Sequence, residues 1–125
     1  MQLVLFFLIS LAINQIITPI NSPIPEYKAV EALKITAKSV AKKGYIKVSW
    51  TVKGDATKAD GYQVYRSTKA NKGFKKAFTT SNMTYKNTKD LKKGTRYYYK
   101  VRAYKVVEGV TYYSDWSNKA FRIAK

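Results

Sequence analysis

Neither cysteine nor histidine occurs in the chain. Their absence removes the disulfide staple, the thiolate nucleophile, the imidazole general base and the usual zinc cage. Acidic residues are scarce too: seven Asp and Glu stand against 24 Lys and Arg, a formal net charge of +17. The seven acids are Glu26, Glu31, Asp55, Asp60, Asp90, Glu108 and Asp115, and they form no close motif. Asp55 and Asp60 flank one loop, which fits either a carboxylate pair or two turn-forming aspartates. No catalytic residue, cofactor or metal site is expected. What is present is apolar (46%) and aromatic (14%) content too rich for a disordered chain, in 125 residues that amount to one domain.

Residues 1–20 carry no charge, and Leu3 to Ile13 is apolar except for Ser10. Apolar side chains at nearly every position match neither the strand nor the helix period and resemble the h-region of a secretory signal. Small residues allow cleavage after Ala12 or after Ala32. Ala32 is preferred because the strand pattern starts just beyond it. The competing reading is an uncleaved membrane anchor over Leu3–Ile20, 18 residues, near the lower limit for spanning about 30 Å of hydrocarbon. Residues 1–32 are therefore read as signal or anchor plus linker, and 33–125 as the domain. Both readings of the leader place that domain at the cell surface or in secreted material.

From Leu33 onward the pattern is that of strands. Ile46, Val48, Trp50 and Val52 alternate with Lys47, Ser49 and Thr51, as a sheet with one wet face requires. Leu33, Ile35 and Ala37 alternate likewise, although Val30, Leu33, Ala37 and Val40 also fall at helical spacing. Further strands are expected at Tyr62–Tyr65, at Gly73–Thr79 with Phe74 and Phe78 on one side, and around Met83–Asn87. The longest runs over Arg96–Val106, and a last one over Thr111–Ala124. Glu108-Gly109 reads as a hairpin tip. Turn signals every ten to fifteen residues or so are the spacing of an antiparallel sandwich.

The run Leu91-Lys92-Lys93-Gly94-Thr95-Arg96-Tyr97-Tyr98-Tyr99-Lys100-Val101-Arg102-Ala103 resembles the fibronectin type III signature Leu-x-x-Gly-Thr-x-Tyr-x-(aromatic)-x-Val-x-Ala. Trp50 stands where that family keeps its core Trp, and Gly61-Tyr62-Gln63-Val64-Tyr65-Arg66-Ser67 is similar to the third strand of its bacterial surface branch. The resemblance covers Leu33–Lys125. It implies an all-β, seven-stranded antiparallel immunoglobulin-like β-sandwich. Its core would hold Trp50, Tyr62, Val64, Leu91, Tyr97, Tyr99 and Val101, with Tyr97 as a tyrosine corner bonded to backbone near Leu91. The Arg-Gly-Asp adhesion element that animal relatives carry on the last hairpin is missing from Val106–Val110.

Two features bear on partners. Twenty of the 24 cations are Lys, a hydrated point charge suited to diffuse polyanion attraction rather than base reading. Lys69, Lys72, Lys75, Lys76, Lys86, Lys89, Lys92 and Lys93 cluster around the middle strands, as a solvated face or as an anion-binding one. Second, Tyr65, Tyr98, Lys100, Arg102, Tyr104 and Trp116 are expected on one outer face. There they would either bind a glycan or protein partner, or form an internal stack of Trp116 on Arg102. The stack is implied by the resemblance of Tyr113-Ser114-Asp115-Trp116-Ser117 to half of the Trp-Ser-x-Trp-Ser box of cytokine-receptor modules. Asn82-Met83-Thr84 matches the N-glycosylation pattern, which matters only in a eukaryotic secretory host. The expected function is a non-catalytic extracellular spacer or interaction module. Its partner would be an extracellular protein, a glycan or an anionic cell-wall polymer, with membrane contact only through the N-terminal segment. The alternative, a basic nucleic-acid-binding β domain, is disfavoured by the leader.

Overall fold

Alternation decides the first strand. In β1 (Lys34–Lys42), Ile35, Ala37, Ser39 and Ala41 are buried while the residues between them are exposed. Val40, which a helix would have buried beside Ala37, is 47% exposed. The computed structural model describes residues 25–125, and they form an all-β sandwich of two antiparallel sheets. The leader, its anchor reading and the cleavage point after Ala12 lie outside the described residues.

The first sheet runs β1, β2 (Tyr45–Lys53), β5 (Thr84–Asn87). The second runs β4 (Lys75–Thr80), β3 (Gly61–Ser67), β6 (Arg96–Val107), β7 (Val110–Tyr113), and β8 (Ala120–Ile123) also pairs with β6. Between the layers lie Ile46, Val48, Trp50, Tyr62, Val64, Tyr97, Tyr99 and Val101, none more than 4% exposed. Leu91 packs against them, half-buried. Small residues stand opposite large ones: Ala37 pairs with Trp50 and Ala103 with Tyr62. The space so left is filled by the Trp50 and Tyr62 rings, which meet edge-on with centroids 5.6 Å apart.

Tyr97 occupies a different part of the core. Its hydroxyl oxygen accepts a hydrogen bond from the Lys92 backbone N–H at 2.7 Å, and the Arg66 guanidinium covers its ring at 4.9 Å. The turn that brings Lys92 there closes with Thr95 N–H on the Lys92 carbonyl and passes through Gly94 at φ 88°, a left-handed conformation that glycine adopts without strain.

Three differences from the sequence pattern have physical causes. Among the described residues there are eight strands rather than seven, because the last run breaks over residues 114–119 into β7 and β8. There, serine hydroxyls take over β6 amides. Phe74 and Phe78 do not share a face. A bulge between Val64 and Tyr65 pairs Phe78 with Val64 but Lys76 with Tyr65, so Ala77 is the extra residue, and an extra residue reverses every side chain beyond it. Finally, the packed body reaches back before Leu33. Residues Glu26–Glu31 form a short helix, α1. Its Val30 is fully buried, and Tyr27 packs on Tyr112 at 4.9 Å.

Candidate interaction surface

On the outer face of the second sheet, alternate residues of β6 line up as Tyr98, Lys100, Arg102 and Tyr104, opposite Ser67, Tyr65, Gln63 and Gly61 of β3. The two cations are threaded between rings. Arg102 lies 3.6 Å from the Tyr113 centroid and 4.4 Å from that of Trp116. Lys100 lies 4.2 Å from Trp116 and 4.6 Å from Phe74. The contact order is thus Tyr113, Arg102, Trp116, Lys100, Phe74, with Tyr65 meeting Trp116 edge-on at 4.9 Å. Each cation over a ring face contributes about 0.5–2 kcal/mol.

Hydrogen bonds fix the ladder further. Arg102 Nε donates to Gln63 Oε1 at 3.0 Å and Nη2 to the Tyr65 hydroxyl at 3.4 Å. Burial lowers the Lys100 pKa below the usual lysine value, and the charges of Lys119 and Arg102 push it the same way.

Of the six residues expected on this face, the structure brings Tyr65, Lys100, Arg102 and Trp116 into one stack and leaves Tyr98 and Tyr104 at its flanks. Tyr98 tilts against Phe121 at 5.6 Å. Tyr104 lies over Gly61, where an added Cβ would sit 3.1 Å from its ring and 2.9 Å from the Thr80 carbonyl oxygen. Tyr113 and Phe74 join the ladder without having been singled out for it. The position of Tyr113 in the Trp-Ser-like box was a usable signal; for Phe74, the bulge hid its face.

The backbone beneath the ladder is held by serines. Ser114 Oγ accepts from Ala103 N–H and Ser117 Oγ accepts from Val101 N–H, each at 2.9 Å. These bonds let residues 114–119 leave the strand path without orphaning buried amides, and so carry Trp116 out between the two cations.

The clustered lysines do not share one surface. Lys75, Lys76 and Lys89 line an open groove with Arg66, whereas Lys86 caps the Tyr45 ring at 4.2 Å. All eight are exposed. Asp55 and Asp60 bond to different groups. Asp55 accepts from Thr57 N–H and hydroxyl, which lowers its pKa. Asp60 accepts from Val106 N–H at 2.8 Å and from Lys105 at 3.2 Å, which lowers its pKa. Among the described residues no cluster of three acids could hold a metal ion, and no helix is long and apolar enough to cross a membrane.

Neither a protein-family model nor a curated protein matches the chain. Solved structures do. A fibronectin type III-like protein from Clostridium thermocellum is 26% identical, with TM-score 0.54, over 74% of this chain and 91% of its own. A human fibronectin type III domain is 20% identical, with TM-score 0.59, over 83% and 85%. The β-1,2-glucanase of Parabacteroides distasonis is 22% identical, with TM-score 0.60, over 76% of this chain, which spans only 13% of the glucanase. The pectate lyase Pel3 of Pectobacterium carotovorum is 22% identical, with TM-score 0.56, and this chain spans 27% of it. With the two-sheet topology and the tyrosine corner, these likenesses define the fold. The chain has a fibronectin type III-like fold.

Proposed function

We propose that the chain is a non-catalytic extracellular module, a rigid spacer and interaction domain whose lysine-rich surface attracts acidic polymers. The observation that carries this reading is charge. All 24 cations lie within residues 25–125, and seven acids cannot neutralise them whatever their pairing. A field of that size steers polyanions from a distance, and a lysine-dominated one does so without reading a base sequence. The apolar leader favours anionic polymers outside the cell over nucleic acid. One structural neighbour, the pectate lyase, is a larger enzyme named for an acidic polysaccharide, which also favours this choice. The ladder gives the module its stiff face: Trp116 lies between two of the chain's own cations, which leaves less of its ring for a sugar to stack on.

The test is a salt titration of binding to polygalacturonate and to duplex DNA. Polymer binding should fall at least about tenfold between roughly 50 and 200 mM salt. No binding at the low end removes the polymer and leaves the spacer. Tighter binding to DNA at every salt concentration overturns the choice of partner.

A further inference from the structure

The two seams of the sandwich are built differently. Between β1 and the segment leading into β8 the seam is sewn. Asn118 Oδ1 accepts from Ala37 N–H at 2.8 Å, and its Nδ2 donates to the Ala37 carbonyl at 2.9 Å. A side-chain amide here pairs with the strand edge as a peptide would. Ser39 Oγ adds a bond to the Phe121 carbonyl at 3.1 Å.

On the opposite seam, β4 and β5 are each the edge of their sheet, and Phe78 stacks on Tyr85 across the gap at 4.6 Å. Next to that stack an open groove of about 470 Å³ is lined by Arg66, Lys75, Lys76 and Lys89, with Asp90 the single acid among the described residues that line it.

Arg66 is the ordered cation of this groove. Its Nη1 donates to Asn87 Oδ1 at 2.9 Å and to the Lys89 and Asp90 carbonyls at 3.3 Å each. Asn87 is 2% exposed, and it is fixed in turn. Its Oδ1 accepts from the Tyr99 hydroxyl at 2.7 Å, and its Nδ2 donates to the Lys89 carbonyl at 2.9 Å. With the Tyr97 ring against the guanidinium, Arg66 is held from one end. The three bonds are all made through Nη1, and the planar fork of a guanidinium fits the two oxygens of a carboxylate or phosphate.

We propose that this groove is the docking site for an extended acidic polymer: Arg66 clasps one oxyanion, and Lys75, which stands opposite Arg66 on β4, and Lys89 meet its neighbours along the chain. The inference rests on the polyanion reading above and narrows it from a diffuse field to one place. Carboxylates of a polyuronate and phosphates of a polyphosphate share the required chemistry.

Calorimetric titration with polygalacturonate and with polyphosphate decides the matter. Lys75→Gln/Lys89→Gln and, separately, Arg66→Lys should each weaken binding about tenfold or more, since one lost charge-assisted contact is of that order. The control pair Lys43→Gln/Lys53→Gln, with the same charge change on exposed residues outside the groove, should stay within about threefold, as a screened distant charge does. Binding to one polymer alone identifies the oxyanion, and binding to both supports the shared fork. Equal losses in the groove pair and the control pair overturn the site while the diffuse reading stands. Absence of wild-type binding at low salt overturns both. Should Arg66→Lys fail to fold, the exposed lysine pair still gives the answer.

Discussion

Ser117 and Val101 form both halves of a strand pairing without being part of a common ladder. The Val101 N–H donates to Ser117 Oγ at 2.9 Å, and the Ser117 N–H donates to the Val101 carbonyl at 2.8 Å. Ser114 treats Ala103 the same way, at 2.9 and 3.0 Å. Hydroxyls thereby replace carbonyls as acceptors for buried amides of β6, and the chain is released from the strand path where Trp116 meets Lys100 and Arg102.

Replacing either serine by alanine should destabilise the domain by about 1–3 kcal/mol, because a buried amide loses its acceptor. Chemical denaturation of Ser114→Ala and Ser117→Ala measures this. A loss below about 0.5 kcal/mol would mean that the hydroxyls are dispensable and that Trp116 is held by its stacking partners alone.

The core separates into two tests. Among the described residues Trp50 Nε1 is buried without a hydrogen-bond partner, so the indole contributes through apolar burial and its edge contact with Tyr62. Trp50→Phe should therefore keep the fold, whereas Trp50→Ala should cost about 3–5 kcal/mol, close to the whole stability of a small domain. Tyr97→Phe has the opposite logic: it keeps the ring but leaves Lys92 N–H without its acceptor, for a loss of about 1–3 kcal/mol. Thermal melts of the three variants check the ranking, and a Trp50→Ala protein melting with wild type would refute the assignment of that ring to the core.

Much of this was legible beforehand, for reasons that particular residues make plain. Strand β2 announces itself through Ile46, Val48 and Trp50, since period two survives any packing partner. Tyr97 is readable because a buried phenol needs an acceptor or donor nearby, and the turn at Gly94 provides one. The bulge at Ala77 was not legible: a single inserted residue leaves no mark on composition, yet it moves Phe74 to the face of Lys100. The break after Tyr113 was half legible. Ser114 and Ser117 stand in the Trp-Ser-like box, but their capacity to replace a ladder depends on β6 lying opposite, which is a tertiary fact. The groove around Arg66 depends on Asn87 and Tyr99, far apart in sequence from it, and no local pattern joins them.

Acid should weaken the tie between Asp60 and β6. Hydrogen bonds from Val106 N–H and then Lys105 depress the Asp60 pKa in the folded state. A depressed carboxylate stabilises the fold above its unfolded pKa, near 3.9 or so, and that contribution is lost as pH falls through the lower folded value. Asp60→Asn should be less stable than wild type at neutral pH, with the gap closing below about pH 4. A gap that stays constant down to the acid transition would show that the carboxylate charge is irrelevant to the tie.

Val30 sets how much chain the domain needs. It is fully buried although it precedes the first strand, and α1 presents it beside Tyr27, whose ring packs on Tyr112. A chain beginning at Leu33 forfeits both contacts. Burying a valine is worth about 1.5–3 kcal/mol, so that chain should be less stable than one beginning at Pro25 by at least this order. Val30→Ala in the longer chain should reproduce part of the loss, while Lys28→Ala, at an exposed position of the same helix, should not. Urea midpoints of the four proteins give the comparison. If the Leu33 chain matches the Pro25 chain, α1 is an ornament on a sandwich already complete, and cleavage after Ala32 carries no penalty. If it falls short as expected, a processing site there would release a weakened domain, and the small-residue site after Ala12 becomes the one compatible with a stable product.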